Sequence, residues 1–191
     1  MAAPVVQSIN PIAQVTEVCV TDFNGDGEQD VLAATGPDMR IAIWPGAPRL
    51  GFAPPIWIGT HGPRITDIDV CVDFNKDGFK DLVSCSEGTS LQPGLVEVFR
   101  GRDPAIFPNA FLDPVPAAVI QMPPNTQPVA VHWLECNPGS LSPASKRYDL
   151  VVAMEGQLTG LALLPNLGGS FPNAVTSLSQ FLPTKPKSAI R

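Results

Sequence analysis

Two short stretches carry residue types suited to cation chemistry. Asp22 to Asp30 reads DFNGDGEQD, and Asp73 to Asp81 reads DFNKDGFKD. Each has Asp, Asn, Asp and Asp at positions one, three, five and nine, and Gly at six: Asp22, Asn24, Asp26 and Asp30 in the first copy, Asp73, Asn75, Asp77 and Asp81 in the second. Alternate residues of a tight turn can aim short oxygen side chains at one point. That donor set suits a hard cation such as Ca2+, which takes about 6–8 oxygens. Gly27 and Gly78 stand where such a loop turns sharply and where a side chain would obstruct. Asp, Asn and Gly are also ordinary turn formers. The repetition of the whole pattern in one strand context favours two cation sites.

The elements that must position these loops are strands. VTEVCV (15–20) and ITDIDVCV (65–72) precede the loops, and DVLAATG (30–36) and DLVSCSEG (81–88) follow them. Each loop therefore joins two strands of a hairpin. This is no EF-hand, because position twelve is Ala33 or Ser84 rather than a bidentate Glu, and no helix flanks the loop.

The strand pattern repeats. The first unit continues through RIAIW (40–44), a Pro/Gly-rich bend and PIWIGT (55–60), the second through LVEVF (95–99), the bend 99–111 and VPAAVIQM (115–122). A third unit begins with VAVHWLECN (129–137) and continues through DLVVAMEG (149–156), LTGLALLPNLGGSFPNAV (158–175) and VTSLSQFL (175–182). Its loop is longer, has lost the central Asp and carries Lys146 and Arg147, so no cation is expected there; the basic pair is expected to meet Glu135 or Asp149. Four strands per unit, recurring with turn signals between, predict β-propeller blades. A sandwich is the rival, but it would not require the same loop at the same place in each unit. The predicted division is an N-terminal arm (1–11), blades over 12–62, 63–124 and 125–182, and a C-terminal tail (183–191).

The run D-F-N-x-D-G-x-x-D followed by two apolar residues, a strand and a Gly/Phe-Pro bend resembles the FG-GAP/VCBS repeat, the blade of integrin-α-type β-propellers. The resemblance covers about residues 12–182 and rests on Asp22, Asn24, Asp26, Gly27, Asp30 and Val31, then Asp73, Asn75, Asp77, Gly78, Asp81 and Leu82. It implies Ca2+ at the two intact loops, two sites per chain. Propellers close with about 4–8 blades. Three would leave an incomplete ring with exposed edges and apolar faces. Pairing of two copies, completion by another protein, or an open stack covered by partners would each resolve this, so the expectation is an all-β, assembly-forming chain.

Composition bounds the partners. The 191 residues are 44% hydrophobic and 16% charged, as in a folded domain, and the 22 prolines and 16 glycines suit many short strands and turns. The net charge of −6, with no basic stripe, argues against nucleic acid or an anionic membrane as partner. No apolar run approaches the ~20 residues of a membrane span. No signal peptide is read in MAAPVVQSINPIAQ, although weak calcium sites would fill outside the cell or in a calcium-rich lumen.

No catalytic motif stands out. His61 lies in a turn and His132 on a strand, and neither G-x-S-x-G nor H-E-x-x-H occurs. Glu17, Asp67 and Asp69 could form a paired-carboxylate site but fit charges on an exposed strand face better, and Cys19, Cys71, Cys85 and Cys136 read as small hydrophobes, with disulfides left open. Trp44, Trp57 and Trp133 could form a sugar-stacking platform, but fit inter-blade packing better. The chain is thus expected to be a non-enzymatic interaction or scaffold protein; the alternative is a carbohydrate-binding or lyase-type module.

Overall fold

A computed structural model describes residues 14–36, 38–48, 51–136, 147–174 and 181–182. The two expected arms lie outside these residues. Among the described residues there is no helix, and hence none long and apolar enough to cross a membrane.

Twelve strands form three antiparallel four-stranded sheets. Sheet 1 contains β1 (Val15–Thr21), β2 (Asp30–Thr35), β3 (Arg40–Trp44) and, after a small ribbon of β4 (Gly46–Ala47) and β5 (Gly51–Phe52), β6 (Ile56–Gly59). Sheet 2 contains β7 (Arg64–Val72), β8 (Asp81–Glu87), β9 (Leu95–Phe99) and β10 (Ala118–Gln121). Sheet 3 contains β11 (Thr126–Cys136), β12 (Arg147–Gly156), β13 (Gly160–Leu164) and β14 (Phe181–Leu182). Each sheet is a meander in which consecutive strands pair, as short turns between apolar runs require.

The sheets stack in chain order. Alternation sends Leu32, Ala34, Ile41 and Ile43 of sheet 1 against Ile65, Ile68, Leu82 and Phe99 of sheet 2 in one core. The other residues of β8 and β9, Val83, Cys85, Val96 and Val98, meet Val131, Leu150, Val152 and Leu164 of sheet 3 in a second core. Sheet 2 is thus covered on both faces.

Three details differ from the sequence reading. The fourth strand of the second unit begins at Ala118 rather than Val115; Val115 is exposed, and Pro116 has no N–H to give a ladder. The first bend contains the β4–β5 ribbon, with Gly46 opposite Phe52. Asp67 is not exposed: it is buried in β7, although Glu17 is exposed as expected.

Cys85 is a buried free thiol whose pKa burial pushes up to about 12, and the half-buried Cys19 has its Sγ 3.6 Å from the Ile68 carbonyl oxygen. The side chains of Cys71 and Cys136 lie outside the described set.

Candidate functional site

The two acidic loops fold alike. In the first, Asp22 Oδ1 accepts the Gly25 N–H at 2.7 Å and Oδ2 the Gly27 N–H at 3.0 Å. Asn24 Oδ1 accepts the Asp26 N–H at 2.9 Å, its Nδ2 donates to Asp26 Oδ2 at 2.8 Å, and Asp26 Oδ1 accepts the Glu28 N–H at 2.8 Å. In the second, Asp73 accepts the amides of Asp77 and Gly78 at 3.0 and 2.8 Å. Asn75 and Asp77 repeat their partners' bonds at 3.2 and 2.7 Å, and Asp77 accepts the Phe79 N–H at 3.0 Å. The first three oxygen-bearing side chains of each loop are thus held on one exposed turn.

Gly27 and Gly78 have φ of +90° and +93°. A Cβ would meet nothing within 4 Å at either. The expected obstruction is therefore absent, and it is the left-handed backbone that selects glycine.

The ninth-position carboxylates are buried and accept backbone amides. Asp30 is fully buried: Oδ2 accepts the amides of Phe23 (2.7 Å) and Asn24 (3.2 Å), and Oδ1 that of Gly46 (2.7 Å). Asp81, also fully buried, accepts Phe74 N–H at 2.8 Å and Gly101 N–H at 2.8 Å. Burial pushes its carboxyl up to about 7 from 3.8, against the pull of those two amides and with a smaller push from Asp77 and Asp73.

The bonds to Gly46 and Gly101 are each a clasp between the start of a second strand and the second residue after the third strand. The approach is close. A Cβ on Gly46 would lie 2.6 Å from the Gln29 carbonyl oxygen, and one on Gly101 2.3 Å from that of Lys80. The third sheet keeps the clasp: Asp149 accepts the Asn166 N–H at 2.9 Å. There Arg147 pairs with Asp149 at 3.0 Å, as its sequence position suggested; Lys146 and the rest of that loop lie outside the described residues.

Among the described residues no three His, Cys, Asp or Glu side chains converge as a ready-made metal centre. The donor chemistry of the loops nevertheless fits a hard cation. Asp22, Asn24 and Asp26, and likewise Asp73, Asn75 and Asp77, offer oxygens on one turn, and an oxygen that accepts one amide retains a second lone pair. Asp30 and Asp81 would have to share their oxygens with the clasp.

The loops are also anchored in the cores. Phe23 is buried between sheets 1 and 2. Phe74 stacks on Trp133 of β11 with ring centroids 5.5 Å apart and touches Phe171. The Asn166 side chain donates to the Phe74 carbonyl at 3.2 Å, and Lys80 Nζ donates to the Asp22 carbonyl. Each loop is thereby fixed to the sheet that follows it.

Other carboxylates join one sheet to the next. Asp67 Oδ2 accepts the Val131 N–H at 2.8 Å, and Asp69 Oδ2 accepts the Trp133 N–H at 2.9 Å with His132 Nδ1 at 3.3 Å. They serve as partners for the free edge of β11. Burial raises the pKa of Asp67, partly countered by the Val131 amide and by His132. Glu97, inside the LVEVF strand and fully buried, accepts the His61 N–H at 3.0 Å and meets His61 Nδ1 at 2.6 Å. The one acidic residue of an otherwise apolar strand was its visible signal.

The three tryptophans do not share a platform: Trp44 meets Trp57 edge-on at 6.4 Å on sheet 1, whereas Trp133 lies against Phe74 between sheets 2 and 3.

No curated protein matches the chain in sequence. Residues 22–84 match the family model described as FG-GAP-like repeat. The matched stretch opens on the first residue of one loop and closes in β8, beyond the other, so both acidic loops lie inside the part of the chain that is similar to that repeat.

Proposed function

We propose that this is a non-enzymatic interaction module of three propeller-like blades, stabilised by Ca2+ at Asp22, Asn24, Asp26 and Asp30 and at Asp73, Asn75, Asp77 and Asp81, and that it works as a subunit of a larger assembly. The observation that carries the reading is the twofold recurrence of one loop whose second residue, Phe23 or Phe74, is seated between two sheets. A cation held by the loop offsets the repulsion of its carboxylates and so steadies that aromatic anchor and the stack it joins. Affinities for oxygen-rich loops span about 10⁻⁷ to 10⁻³ M.

Native mass spectrometry and thermal unfolding, with calcium and with chelator, test the proposal. Two ions per chain are expected. At calcium about 100 times Kd, stabilisation of about 2.7 kcal/mol per site is expected. The double variant Asp22→Ala/Asp73→Ala should lose both effects. Equal melting temperatures with and without calcium, and no bound ion, would remove calcium from the account.

A further inference from the structure

The described residues use one kind of sheet-to-sheet joint twice, and part of each half of that joint recurs exposed on the two outer sheets. Strand register identifies equivalent positions. Leu32 pairs with Ile43, Val83 with Val98 and Val151 with Leu163, each pair on the face directed toward the next sheet. In sheets 1 and 2 these residues are 0% exposed, because another sheet covers them. In sheet 3 Val151 is half-buried, Leu163 is 37% exposed, and Leu134 on the same face is 42% exposed.

The opposite face shows the complement. Ile68 and Val70 of β7 are 2% and 3% exposed against sheet 1. Their equivalents on β1, by the pairings Val18–Ala33 and Val20–Val31 beside Ile68–Ser84 and Val70–Leu82, are Val18 and Val20, exposed at 49% and 62%. The rest of that face, Ala33, Ala42 and Trp44, is already covered, which puts the open part at the first strand.

We infer that a second copy of this chain supplies the missing halves: sheet 3 of each copy covers β1 of the other, and two copies close a ring of six sheets. Two joints of one kind related by a twofold axis form a closed assembly. Six sheets fall within the range of about 4–8 that propellers use. This rests on the propeller-like reading above but not on calcium.

The test is light scattering coupled to size exclusion on the whole chain, for wild type and for Leu134→Lys and Val20→Lys. Both positions are exposed in the single chain, so a monomeric variant should keep its β-sheet circular dichroism. Wild type should have about twice the 20.2 kDa chain mass, and either substitution alone should halve it. A wild-type monomer overturns the inference. So does a dimer that survives Val20→Lys, which would mean pairing through sheet 3 alone, and so does a ladder of larger masses, which would mean an open filament. Calcium binding by a wild-type monomer would leave the proposed function standing while this inference falls. A calcium-indifferent dimer would do the reverse.

Discussion

At the residue scale, the carboxylates divide into those exposed on the loops and those buried among the strands. Asp67 belongs to the second group: Val131 and Ile68 donate to it, His132 and Glu17 are its charged neighbours, and burial still raises its pKa. The folded chain therefore holds that proton more tightly than the unfolded chain. The resulting stability is complete below about pH 4, the ordinary aspartate value, and is lost as pH rises through the raised pKa. Urea titrations of wild type and Asp67→Asn across that range should show the wild-type advantage shrinking as pH increases. A difference that grows with pH would mean that the amides outweigh burial. The spacing of Asp22, Asn24 and Asp26 was legible in the sequence because a loop is a local object. The roles of Asp67, Asp69 and Glu97 were not, because their partners lie 64, 64 and 36 residues away. Asp30 and Asp81 were recognised as part of a pattern, but their bonds to Gly46 and Gly101 arise only when the third strand returns.

At the scale of elements, apolar alternation was enough to place most strands. It failed where the backbone decides. The β4–β5 ribbon consists of two-residue pieces with no periodicity, and β10 starts late because of Pro116. The hairpin loops are more than connections, since each inserts a phenylalanine into the next joint. Phe74→Ala should destabilise the chain by about 3–5 kcal/mol through loss of the contacts with Trp133 and Phe171, read from the shift of the urea midpoint. A loss below about 1 kcal/mol would show that the ring is not part of the core.

At the scale of the molecule, the stack behaves as a short one-dimensional array in which each sheet touches only its neighbours. Sheet 2 is shared by both cores, whereas sheets 1 and 3 each contribute to one shared core. Native-state hydrogen exchange should therefore be slowest in β8 and β9 and faster in β1 and β13. Earlier exchange in β8 than in β1 would show that sheet 2 is not the keystone. The clasps have a consequence of another kind. Asp81 joins the start of β8 to Gly101 before the bend has run its course, and Leu112 closes the far side by bridging back to Gly101. The chain is thus joined across the neck of 103–109, a segment with its own Asp103 turn and an exposed Ile106. That bend is a side circuit closed at its own neck, and it is where an inserted foreign peptide, epitope or tag is expected to leave the β-sheet circular dichroism unchanged.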